Sequence, residues 1–235
     1  MNKLILLIVL FLPMFSQADP GDEAVAAWDK VLKAHVSADG VVNYTAIKKD
    51  PAFDTALRLF ATQHPDASWS KNEAMAFWIN VYNAFTVKLI VDNMPVKSIM
   101  DLGKPWDKSF ITLKGKTYSL NQIEHEILRP VYKDARVHFA INCASYSCPK
   151  LINAAFRAET LDATLTRVTK EFLKDTNRNH ITANKAEVSQ IFEWFADDFK
   201  REGDVIAFLN KYGAVKIAAG TPLQYLEYNW NLNGK

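Results

Sequence analysis

Several things are missing from this 235-residue sequence, and each absence narrows what it can do. It has only eight glycines, and none forms a GxGxxG or Walker-type loop. Nicotinamide, flavin and nucleotide sites therefore find no support, and no cofactor is expected. HExxH and paired-histidine spacings are absent too. A zinc site would have to be assembled from Glu124, His125 and His138, whose donor types suit the metal but whose spacing does not. Neither sign of charge dominates: the formal balance is +2, and Lys3 supplies one of those charges. A field so weak gives no reason to expect a nucleic-acid partner or attraction to anionic lipid. Repeats, low-complexity stretches and Pro/Gly/Ser linkers are also lacking, which argues for a single domain.

Long apolar runs are scarce as well. The run from Leu4 to Leu12 is well short of the roughly 18 residues that a spanning helix requires. It follows Met1-Asn2-Lys3 and leads to Ser16-Gln17-Ala18, with small residues three and one positions before a cut after Ala18. Charged start, apolar middle and small-residue exit make residues 1–18 an expected signal peptide. Residues 19–235 are then an exported globular domain, periplasmic or secreted, with no membrane anchor once the signal is cleaved. Cysteine is limited to Cys143 and Cys148. In an oxidising compartment such a close pair is expected to form a disulfide. Its short loop would stabilise by only roughly 2 kcal/mol, shaping a loop more than holding the fold.

What is present suits a packed core: 49% apolar residues, with six tryptophans among the aromatics. Apolar spacing predicts helices over residues 22–34, from Pro51, over 161–173, 192–199 and 205–212. Ser70 with Glu73 makes a capping box for a helix running to about Asn93, where Pro95 stops it. Ser119 with Gln122 makes a second, for a helix to about Leu128 that Pro130 ends. Hairpins are expected around residues 114–116 and 183–186, a strand over 136–141, and an irregular aromatic tail over 225–232. The pattern is α+β: a mainly helical body with a small antiparallel sheet built from short hairpins.

Three stretches break local rules. Asn80 and Asn83 share one face of an otherwise apolar helix, where asparagine is unfavourable. Buried amides need partners, so they either clamp a neighbouring loop or line a polar pocket and bind a ligand. Glu124 lies beside Ile123, Ile127 and Leu128, so it needs a partner such as Arg129 or Lys133, or serves as a general acid or base. His125 adjoins it as a binding candidate. His138 sits on an apolar stretch leading into Cys143. On a straight strand the two would point to opposite faces, so a catalytic pair needs a bend after Asn142.

Taken together, Phe77-Trp78-Ile79-Asn80-Val81-Tyr82-Asn83-Ala84, residues 119–129, and Arg136 through Cys143 to Ser147-Cys148-Pro149 resemble the bacterial branch of the domain of unknown function 547 family. The tail Tyr228-Asn229-Trp230-Asn231-Leu232 fits as well, so the motif-bearing core spans about residues 75–235. The resemblance implies a single domain, often exported, and singles out Asn80, Asn83, Glu124, His138 and Cys143. It brings no reaction, substrate or cofactor. In some plant members Cys148 is replaced, which implies that a bridge is dispensable and leaves Cys143 open to another role.

Two functions follow. The one that asks for the fewest coincidences is a binding or partner-interaction module with a polar pocket, taking a small molecule or peptide. The alternative is a thiol-dependent hydrolase or transferase, with Cys143 as nucleophile, His138 as its base and Glu124 or an asparagine as orienting group.

Overall fold

The computed structural model describes residues 22–235. The expected signal peptide lies outside the described residues. Helix α1 (Asp22–His35) packs with the short α2 (Tyr44–Ile47) and with α3 (Pro51–Ala61), whose Asp50 side chain caps Ala52 N–H at 2.9 Å. Their apolar faces close on α4 (Lys71–Asn93), which starts at the expected Ser70–Glu73 capping box and ends at Met94, extended ahead of Pro95. By length and composition α4 is apolar enough to span a membrane, but 89% of its most apolar window is buried inside the fold. It is the central helix of a large hydrophobic cluster that also takes Trp28, Tyr44, Phe60 and Phe156.

Strands β1 (Ile111–Leu113) and β2 (Lys116–Tyr118) form the first expected hairpin. Its two-residue turn, Lys114-Gly115, has both φ values positive, as the right-handed twist of a hairpin favours. Beyond helix α5 (Leu161–Lys174), β3 (His180–Thr182) and β4 (Lys185–Val188) form the second. A third strand, β5 (Leu223–Tyr225), joins β4 in parallel, inside what sequence alone reads as the approach to an irregular tail. Helices α6 (Ile191–Trp194), α7 (Ala196–Phe199) and α8 (Val205–Tyr212) bury Phe192, Phe199 and Phe208 with Phe139 and Phe172 in a second cluster. The architecture is mainly helical α+β, as expected.

Two local expectations are corrected. The helix that begins at the Ser119–Gln122 reciprocal caps (both 3.1 Å) does not stop before Pro130. It continues as a π-helix over Gln122–Tyr132. An α-helix would set the Pro130 ring against the carbonyl four residues back, whereas the wider π turn bonds five residues back. It buries Ile123, Glu124, Leu128 and Tyr132. Secondly, residues 136–141 are not a strand. A 3-10 turn occupies Ala135–Phe139, capped by Asp134 onto Arg136 N–H at 3.0 Å. Among the described residues no neighbouring strand is there to pair with, and the Asp134 cap offers the backbone a turn instead.

Residues beyond β5 are a strap rather than a loose tail. Ser98 pairs with Asn231, Ser145 with Leu232, and Val42 with Gly234. A Cβ at Gly234 would meet the Val42 carbonyl oxygen at 1.9 Å, so only glycine allows this approach. The strap draws the C-terminus back across the cysteine loop to the first helices.

A cysteine loop facing a buried carboxyl

The loop carrying Cys143 is fixed by two asparagine side chains. From α4, Asn83 donates Nδ2 to Ala140 O at 2.9 Å and accepts Asn142 N–H at 2.8 Å. Asn142 then accepts Ala144 N–H at 2.9 Å and donates to Pro149 O at 2.7 Å, tying together both ends of the loop. Between them Ala144 adopts φ +62°, a left-handed conformation uncommon for alanine. Strained positions of this kind concentrate at functional sites because the surroundings must over-determine them. The strap completes the hold: Tyr146 N–H donates to Asn231 O at 2.7 Å and Asn233 N–H to Ala144 O at 3.0 Å.

This geometry decides the roles of the paired amides. Asn80 clamps the Phe156 peptide at 2.7 and 3.0 Å, as Asn83 clamps residues 140–142. Both are buried and spend their amides on backbone, so neither lines a pocket as a binding residue.

The turn after His138 and the left-handed step at Ala144 supply the bend that a straight strand would lack. Glu124, His125, His138, Cys143 and Cys148 now face one cavity of about 220 Å³. It lies at the seam of the two hydrophobic clusters, with Tyr82 and Ile141 from one and Ile191, Phe195 and Tyr228 from the other. A wider groove of about 920 Å³ shares Cys148 and Pro149 with it. Its charged groups are largely paired with one another, Arg167 with Glu171 and Arg178 with Asp175, so the chemistry sits in the smaller cavity.

The Cys143 sulfur, half-buried, lies 3.0 Å from Ser145 Oγ and 3.3 Å from Tyr228 Oη. Burial by itself would raise its pKa. Hydrogen bonds from Cys148, Ser145 and Tyr228 outweigh burial and hold the thiol well below its ordinary range. Cys148 moves the opposite way, pushed up by burial and by the neighbouring sulfur. The expected disulfide is absent: both cysteines are free thiols, and Cys143 N–H donates to Cys148 Sγ at 2.9 Å. That contact, with the hydroxyls of Ser145 and Tyr228, gives the sulfurs hydrogen-bond partners in place of a covalent one.

Glu124 makes no ion pair with Arg129 or Lys133. Its partner is the Tyr82 hydroxyl at 3.2 Å, and burial raises its pKa to about 7. Arg129 instead turns to Asp198, Nε to Oδ2 at 2.6 Å, and His138 Nε2 meets the same oxygen at 2.7 Å. Asp198 is held far below the usual carboxylate range: burial opposes this, but the bonds from His138 and Arg129 prevail. A carboxylate accepts, so the Nε2 proton of His138 is fixed and Nδ1 is left as the basic nitrogen. Burial keeps the His138 and His125 rings neutral by lowering both pKa values. Phe195 stacks on His138 with centroids 4.0 Å apart. No hydrogen bond joins His138 to Cys143 among the described residues. Asp198, Tyr228 and Ser145 are site residues that sequence reasoning missed. The one available signal was that Arg129 and a buried His138 both need an acceptor.

Fold and site thus define a mainly helical α+β domain that presents a cysteine loop to a buried carboxyl. Residues 67–173 match the family model described as "Protein of unknown function, DUF547". The match takes in α4, the π-helix and the cysteine loop, whereas Asp198, Tyr228 and Trp230 lie beyond it. No curated protein and no solved structure matches the chain.

Proposed function

We propose that this protein is an exported thiol-dependent acyl hydrolase or transferase. One observation carries the reading. The Cys143 sulfur, held at the strained Ala144 step and hydrogen-bonded by Ser145 and Tyr228, shares a cavity with the uncompensated carboxyl of Glu124. Two titratable groups pushed in opposite directions are the signature of an acid–base division of labour. The Cys143 thiolate attacks an acyl carbon, forming a C–S bond. The bond to the amine or alcohol leaving group breaks as Glu124 gives that group its proton. The resulting carboxylate then takes a proton from water, or from an acceptor amine, which attacks the thioester and expels the thiolate. His138, kept neutral by burial and oriented by Asp198, braces the wall beside the reacting groups.

Export rests on residues 1–18, and N-terminal sequencing of the fractionated protein is expected to begin at Asp19. In an oxidising compartment closure of Cys143 onto Cys148 would silence the nucleophile, so the acting state is the reduced one. The test is the pH dependence of Cys143 alkylation by iodoacetamide in reduced protein, read by intact mass. A midpoint below that of free cysteine, lost in Cys143→Ser, is expected. A midpoint at or above it would reject the nucleophile and leave a binding module with an aromatic-walled pocket, which the absence of a His138–Cys143 bond also favours.

A further inference from the structure

The walls of the Cys143 cavity restrict what can reach the sulfur, by charge, by shape and by size. Charge comes first. Among the described residues no lysine or arginine lines the cavity, and its two histidines, His125 and His138, are kept neutral by burial. Arg129, which reaches the cavity wall at His125, is spent on Asp198 at 2.6 Å and on His125 at 2.5 Å. A carboxylate or phosphate entering here would leave water with no cation in the lining to pair with, opposite the Cys143 thiolate.

Shape is set by an aromatic wall. Trp194 and Trp230 are stacked with centroids 5.7 Å apart and planes 20° apart, and Tyr228 contacts both at 4.8 and 4.5 Å. Trp106 adds an edge 5.9 Å from Trp230. Trp194 remains 44% exposed, unusual for so large an apolar side chain, which leaves it free to receive a flat group at the mouth. Size follows from the volume of about 220 Å³. An apolar cavity of roughly 150 Å³ accepts one benzene, so this one has room for a single ring with a short linker.

We propose that the site takes a neutral acyl donor, an amide or ester, carrying one flat apolar ring that stacks on the Trp194–Trp230–Tyr228 wall. This assignment rests on the nucleophile reading above. The test separates the two with three chloroacetamide probes on the reduced full-length protein: unsubstituted, N-benzyl, and N-(4-carboxybenzyl). The rate of mass gain at Cys143 is measured for each and divided by the rate of the same probe with N-acetylcysteine. Burial of one phenyl ring is expected to favour the benzyl probe over the unsubstituted one by roughly tenfold or more. The carboxylate is expected to remove that advantage. In Trp194→Ala, checked for a cooperative melt, the benzyl-to-unsubstituted ratio is expected to fall toward one.

Equal normalised rates for all three probes would overturn the substrate assignment while the nucleophile stands. So would a preference for the carboxylate probe. Failure of every probe to modify Cys143 faster than the free thiol would overturn both.

Discussion

At the scale of single residues, Glu124 states the conflict between stability and chemistry. Its folded pKa of about 7 lies above its unfolded value, so between about 4.5 and 7 the native state binds the extra proton. Stability therefore falls as pH rises through that window and is unpenalised below it. Glu124→Gln keeps an acceptor for the Tyr82 hydroxyl and removes the charge. It is expected to flatten the pH dependence of unfolding and to stabilise at pH 8 by on the order of 2–3 kcal/mol, while abolishing turnover. Urea unfolding at pH 5 and pH 8 checks this; an unchanged slope would mean that Glu124 ionises normally. Asp198 has the opposite sign: its depressed pKa contributes stability above the unfolded value, lost as pH falls toward the folded one. Because Asp198 is only half-buried, Asp198→Asn is expected to cost just about 1–2 kcal/mol at pH 7. Tyr228→Phe removes a donor to Cys143 and is expected to move the alkylation midpoint upward.

At the scale of elements, the two buried asparagines of α4 make a controlled comparison. Each holds one donor and one acceptor of a distant backbone, so each change to alanine is expected to cost about 2–4 kcal/mol in buried groups left unpaired. Only Asn83 holds the peptides that lead into Cys143. Asn83→Ala is therefore expected to slow Cys143 alkylation, with Asn80→Ala leaving the rate alone at equal loss of stability; equal rates would reduce Asn83 to a structural clamp. That the pair was unusual is legible from their helical spacing, because asparagine is misplaced in an apolar helix. Which backbone each would grip was not, since the partners lie 57 to 76 residues away. The π-helix was hidden for a related reason. The capping box marks its start, but Pro130 reads as a stop in any α-helical register.

At the scale of the whole molecule, the C-terminal strap couples distant parts of the chain to the site. Gly234 is where it closes on Val42, so Gly234→Ala is expected to cost about 1–3 kcal/mol by forcing backbone apart. Limited proteolysis should then cut within residues 226–235 sooner than in the parent protein, and Cys143 reactivity should fall as Tyr228 withdraws. An unchanged digestion pattern would show that the strap is held elsewhere.

Composition, apolar periodicity and two capping boxes determined most of the helices, the two hairpins and the α+β class, because those signals act within a few residues of chain. They also marked Glu124, His138 and Cys143 as residues out of place in their local pattern. Only tertiary structure decided that a turn, not a strand, follows Asp134, that Asp198 takes both Arg129 and His138, and that Tyr228 reaches the sulfur. The reason is physical. Ion pairs, hydrogen bonds to a buried sulfur and the wall of a cavity are made between segments that have no common period, so no window of sequence contains them.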